Sequence, residues 1–97
     1  SFVALYNGVT HELRLTALSG AAVPDRDYEL WAIEGAAAPR SMGLVAVTDS
    51  NALTVPADIL VDFGAGTVLA VTLEQQGGSP SGAPQGPVVA AGAATPI

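Results

Sequence analysis

Ninety-seven residues suffice for one domain with one core, and nine acids against three arginines leave a net charge of −6. An acidic chain without a basic cluster repels phosphate backbones and anionic lipid heads, so nucleic acid is not expected as a partner. With no cysteine, disulfides, thiol catalysis and cysteine–zinc sites are excluded within these residues, and a 49% hydrophobic content separates the chain from disordered ones.

Phe2–Tyr6 is β-prone and ends at Asn7-Gly8, a pair that accepts positive φ and marks a hairpin. The next strand is expected to begin near Val9. From His11 to Leu18, the residues His11, Leu13, Leu15 and Ala17 alternate with Glu12, Arg14, Thr16 and Leu18, the pattern of a half-buried antiparallel strand. His11 is expected as a strand-end residue, since no second His or Cys exists to complete a metal site. Ser19–Asp27 reads as a loop. In Tyr28–Gly35 both alternating sets are bulky, Tyr28 and Leu30 against Trp31 and Ile33. A strand apolar on both faces is central and covered on both sides, with Trp31 as its core anchor.

Gly35 and Pro39 leave no room for a helix in the alanines between them. Arg40–Val47 resumes β character, with Gly43 marking a bulge. Thr48–Asn51 reads as a turn, and Ala52–Val55 completes a second hairpin. Pro56 can open a helical turn over 57–63, on which Ile59, Leu60 and Phe63 share a face. In Thr67–Glu74 the large residues Leu69, Val71 and Leu73 recur with a period of two. Gly77-Gly78-Ser79-Pro80 stops that strand, and Pro80, Pro84 and Pro87 bias the connection after it toward an extended path. This connection is expected to lie against the domain and to deliver Val88-Val89 as an edge strand. The whole reads as an all-β fold, a single small antiparallel β-sandwich of about seven short strands with Ig-like architecture. The domain spans 1–92, with 93–97 as a flexible tail.

No catalytic signature survives inspection. Asp62-Phe63-Gly64 spells a kinase metal-binding triplet, but 97 residues without lysine cannot form a kinase. Gly64-x-Gly66 lacks the third glycine of a dinucleotide loop, because Leu69 stands there. A serine triad would have to use His11, with no nucleophile indicated beside it. A glycosidase-type carboxylate pair could be drawn only from Glu12, Glu29, Glu34 and Glu74, whose separations a sequence does not give. No catalytic, cofactor-binding or metal-ligating residues are therefore assigned, and the domain is expected not to be an enzyme. No apolar run approaches the roughly twenty residues needed to cross a bilayer. The start at Ser1, without methionine and with strand-like sequence at once, is what a piece of a longer protein would show.

Tyr28-x-Leu30-Trp31-x-Ile33-x-Gly35, Gly43, Ala70-Val71-Thr72-x-Glu74, Gly77-Gly78-Ser79-Pro80 and Gly86-Pro87-Val88 succeed one another in an order that resembles the C-terminal domain of anti-sigma-K-type (RskA-like) factors. The resemblance covers roughly residues 25–92. It implies the outer domain of a single-pass membrane regulator whose cytoplasmic segment, absent here, sequesters an extracytoplasmic-function sigma factor. It further implies a periplasmic or extracytoplasmic location for this domain. Release of the sigma factor would begin with cleavage of the outer part by a site-1-type protease. The alternative expectation is an extracytoplasmic binding module for a peptide or glycan on an exposed sheet edge. A small hydrolase using two of the four glutamates is a third.

Overall fold

The computed structural model describes residues 2–47, 50–64 and 66–97. Among the described residues the chain is all-β apart from one helical turn. Its elements are β1 (Val3–Tyr6), β2 (Glu12–Thr16), β3 (Arg26–Ile33), β4 (Arg40–Val45), β5 (Ser50–Thr54), α1 (Ala57–Leu60), β6 (Val68–Gln75) and β7 (Val88–Pro96). The strands form one continuous order, β4-β3-β6-β7-β1-β2-β5. The first part of β7 pairs with β6 and its end pairs with β1. The two layers of the expected sandwich are thus joined through one shared strand, and the sheet rolls nearly into a barrel.

Alternation selects the residues that fill it. Ala4 and Tyr6 of β1, Leu13 and Leu15 of β2, Leu30 and Ala32 of β3, and Leu69 and Val71 of β6 all belong to one buried cluster. Each fully buried leucine there contributes about 1.5–3 kcal/mol relative to exposure. Pro56, with φ −56° and ψ 144°, introduces α1, and Ile59 of that turn is buried. Leu60 and Phe63 pack against the same cluster, and the Phe63 ring meets Tyr6 edge-on at 4.6 Å. The turn is shorter than the expected 57–63 span, although the shared apolar face is present.

Several expectations change. The β1–β2 hairpin forms in the predicted place, but through a longer connection than Asn-Gly alone requires. The Asn7 carboxamide oxygen accepts the Val9 and Thr10 N–H groups, and His11 takes φ 64°. His11 therefore precedes β2 instead of lying within it. At the other end Ala17 takes φ 60°, which ends β2 at Thr16 and turns Leu18 into the core.

The bulge foreseen at Gly43 is present: Leu30 faces Gly43 while Trp31 faces Ser41, with Met42 the additional residue. By contrast, β4 and β5 do not form a hairpin. β4 pairs with β3 and β5 with β2, at opposite ends of the strand order. Thr48 and Asp49 of the expected turn lie outside the described residues, as does Ala65 between the helical turn and β6; Ser50 and Asn51 begin β5. Asn51 bonds back to Ala46, its side-chain amide accepting from Ala46 N–H at 3.0 Å and donating to Ala46 C=O at 2.8 Å.

The largest departure concerns the C-terminus. β7 is neither short nor at an edge: it runs nine residues between β6 and β1, and its pairing with β1 is parallel. Residues 93–96, expected as part of a flexible tail, continue this strand, and Ile97 N–H donates to Tyr6 C=O at 2.9 Å. Its inward residues are Ala90 and Ala94. Between them, a Cβ on Gly92 would sit 3.5 Å from the Phe2 ring. Small side chains suit a strand at the seam of the rolled sheet, where little room is left for larger ones.

Candidate functional site

β3 and β6 are the longest mutually paired strands, in register from Arg26↔Gln75 to Ile33↔Val68. Tyr28, Leu30 and Ala32 pack with the main core. The period of two then places Asp27, Glu29 and Trp31 on the opposite face of β3, beside Ala70, Thr72 and Glu74 of β6. Trp31, Thr72 and Glu74 are 0%, 0% and 2% exposed, so this second face is covered as well. Trp31 is thus the expected buried anchor of a central strand, but it lies outside the main cluster.

The Gly-Pro connection, residues 77–87, folds back as a strap onto the carboxylates of this face. Four of its backbone N–H groups donate to the three carboxylates. Gly77 donates to Asp27 Oδ2 at 2.8 Å and Ser79 to Glu29 Oε1 at 2.7 Å. Gln85 donates to both Glu74 oxygens at 3.3 and 3.2 Å, and Gly86 to Glu74 Oε2 at 3.1 Å. On the same face, Trp31 Nε1–H donates to Thr72 Oγ1 at 2.8 Å, and the Thr72 hydroxyl donates to Glu74 Oε2 at 2.5 Å. The Ser41 hydroxyl donates to Glu29 Oε2 at 2.5 Å. Charge-assisted bonds of this kind are roughly twice as strong as neutral ones.

Glycine is required where the strap comes closest. At Gly86 a Cβ would lie 1.6 Å from the Leu73 carbonyl oxygen. At Gly78, with φ +97°, it would lie 3.0 Å from Glu29 Oε1. Within the strap, Ser79, Ser81 and Gln85 hydrogen-bond to one another and to Ala83, giving a loop without charge its own internal order.

Burial alone would push the Glu74 carboxyl up. The Thr72 hydroxyl, and then the Gly86 and Gln85 N–H groups, outweigh it and hold the group below the usual carboxylate range.

The other residues singled out by sequence are dispersed. Glu12 forms an exposed pair with Arg14 at 3.2 Å, and Glu34 Oε2 accepts from the Thr67 hydroxyl at 3.0 Å. Asp62 of the kinase-like triplet pairs with Arg40 at 3.4 Å. Only Glu29 and Glu74 of the four glutamates share a face, and each already accepts hydrogen bonds at both oxygens. Their arrangement anchors a loop and is not that of an open acid–nucleophile pair, which would need room for a sugar between them. Among the described residues no group of three or more His, Cys, Asp or Glu is arranged to hold a metal ion. A hollow of about 220 Å³ borders the strap, lined by Arg26, Glu74, Gln85 and Gly86.

The strap's attachment to the sheet escaped sequence reasoning, apart from the expectation that it packs down. The available signal was the pair of glutamates set into strands otherwise apolar on both sides, Glu29 between Tyr28 and Leu30 and Glu74 after Leu73.

The family described as "Anti-sigma-K factor rskA, C-terminal" matches residues 1–88, which reaches from β1 to the first residue of β7 and includes the whole strap. Anti-sigma-K factor RskA of Mycobacterium tuberculosis strain H37Rv is 41% identical over 81 residues, covering 78% of this chain and 32% of that protein. The same figures hold for the protein of strain CDC 1551 and for a Mycobacterium bovis relative named "Dysfunctional anti-sigma-K factor RskA". The chain therefore spans about a third of the length of these curated relatives. No solved structure gives a significant match. On the strength of a match running through nearly every strand and the strap, the chain belongs to the family of anti-sigma-K factor C-terminal domains.

Proposed function

We propose that this chain is the extracytoplasmic regulatory domain of a membrane-anchored anti-sigma factor, and that its folded state governs proteolytic release of an extracytoplasmic-function sigma factor. The observation that carries the proposal is the family match over residues 1–88. On this reading the chain has no enzymatic role, and its partners are a sigma factor, bound by another part of the parent protein, and a site-1-type protease. The strand order supports a mechanism based on fold integrity. β1 is held on both sides, antiparallel to β2 and parallel to β7. A stalk leading into β1 would be presented to a protease in extended form only when that strand leaves the sheet. Proteases act on such transiently opened segments in proportion to their population.

The test uses the parent protein in cells, with a sigma-dependent reporter and an immunoblot for the domain. Destabilising the sheet by Leu30→Ala, at a fully buried position, should increase cleavage and reporter output together. A protein whose cleavage and reporter output are unaffected by this substitution, while its domain is demonstrably destabilised, would refute the mechanism. A phosphatase fused after Ile97 should be active only if the domain lies outside the cytoplasm. Peptide or glycan recognition at a sheet edge has less behind it: β4 is bulged, and the Asn51 side chain already occupies both backbone groups of Ala46 just beyond it.

A further inference from the structure

We propose that the 77–87 strap is a releasable cover: it lifts from β3 and β6 and exposes Trp31 while the sheet stays paired, and protonation of Glu74 beneath it is the trigger. The proposal concerns the domain itself and does not depend on the anti-sigma reading.

Backbone bonds to β6 hinge the two ends of the strap, Gly78 N–H to Gln75 C=O at 2.9 Å and Leu73 N–H to Pro87 C=O at 3.1 Å, and between these hinges carboxylates hold it. Gly77 and Ser79 are held by Asp27 and Glu29, and Gln85 and Gly86 by Glu74, in every case through strap backbone N–H groups. No strap side chain is charged, and no hydrophobic residue of the strap belongs to the main core. The sheet beneath has its own complete ladder from Arg26↔Gln75 to Ile33↔Val68. Lifting the strap between its backbone hinges therefore breaks carboxylate contacts and uncovers Trp31 without unpairing β3 from β6.

Protonation acts directly on those contacts. Both oxygens of Glu29 and both oxygens of Glu74 already accept donors. A proton added to Glu74 must therefore face the Gln85 or Gly86 N–H, or turn the Thr72 hydroxyl from donor to acceptor. That hydroxyl is in turn oriented by Trp31 Nε1–H.

The groups facing Glu74 are few. From β3 these are Asp27, its register partner, Glu29 on the same face, and Arg26 across the small hollow. β7 and the strap contribute no titratable side chain. The sign is set by the lowered position of the Glu74 carboxyl. Closure is strongest above the ordinary carboxylate range and is lost as pH falls through the lowered value.

Trp31 is the sole tryptophan and so reports on the strap directly. Acrylamide quenching of its fluorescence should be measured against pH on the intact chain, with far-UV circular dichroism reporting the sheet in the same samples. On acidification, quenching should rise severalfold at a pH where the sheet signal is still native. Glu74→Gln should be severalfold more quenchable than wild type already at neutral pH, with a weakened pH dependence. Gly86→Ala, whose Cβ cannot coexist with the Leu73 carbonyl, should open the strap without altering any carboxylate. Quenching that rises only together with loss of the sheet signal, in wild type and in both variants, would overturn the proposal. Glu74→Gln with a wild-type pH profile would overturn the assigned trigger.

Discussion

Thr72→Val tests the buried relay under the strap with almost no change of shape. Thr72 is fully buried; its oxygen accepts from Trp31 Nε1 and its hydroxyl donates to Glu74. Valine removes both bonds. A hydrogen bond to a charged group is worth about 1.5–3 kcal/mol, and a buried donor left without a partner costs about 1–3 kcal/mol. Because the strap can relax and let water reach Trp31, the two do not add fully, and a net loss of about 2–4 kcal/mol is expected near neutral pH. Urea unfolding monitored by Trp31 fluorescence measures this directly, and a domain of this size should lose about 4–8 °C in Tm for each kcal/mol.

A second readout separates the relay from simple packing. The Thr72 hydroxyl is the largest of the effects that lower the Glu74 carboxyl against its burial. In wild type, the lowered folded-state value contributes stability above the unfolded-state value that disappears as pH falls through the folded one. Without the hydroxyl the Glu74 carboxyl moves up, so this contribution shrinks and the gap between wild type and variant should narrow on acidification. A loss below about 0.5 kcal/mol, a value typical of inconsequential surface changes, would refute the relay, as would a gap that widens in acid.

Trp31→Ala removes a fully buried aromatic and should cost about 3–5 kcal/mol in chemical denaturation, enough to leave a marginal domain largely unfolded. Truncation after Gly92 removes Ala94 and the parallel pairs of β7 with β1; calorimetry should show Tm lowered by about 5–10 °C or more, whereas a dispensable tail would leave it unchanged. Gly43→Ala meets no atom within 4 Å but must adopt φ +104°, so a purely conformational loss of about 1–2 kcal/mol is expected from equilibrium unfolding. Glu12→Ala, by contrast, breaks only a half-exposed pair with Arg14 and should change stability by less than about 0.5 kcal/mol.

The family was legible because its signature lies in residues that local geometry demands. The tyrosine–leucine–tryptophan–isoleucine strand supplies both faces of β3, and the glycines of the strap stand where φ is positive or where β6 backbone comes too close for a Cβ. Such positions constrain residue identity directly, so they can be recognised without knowing what surrounds them. The surroundings of those glycines could not be read in the same way. Gly78 and Glu29, or Gly86 and Leu73, are brought together only when β3 and β6 pair and the chain returns over them.

Sequence alone determined the all-β class, the places of most strands, the Gly43 bulge and the burial of Trp31, because each arises from short-range alternation and from glycine and proline geometry. Tertiary structure decided three other things. It moved β4 and β5 to opposite ends of the strand order, since pairing partners are set by packing of the whole sheet and not by proximity along the chain. It also turned Ala93–Pro96 from an apparent tail into the strand closing the sheet onto β1. Alanine and glycine carry almost no hydrophobic alternation, so their strand is stabilised by neighbours and leaves little trace in sequence. Lastly, it gave Trp31 a face of its own opposite the main core, where carboxylates that look like surface charge in the sequence become buried acceptors for backbone N–H groups 50 and 12 residues away.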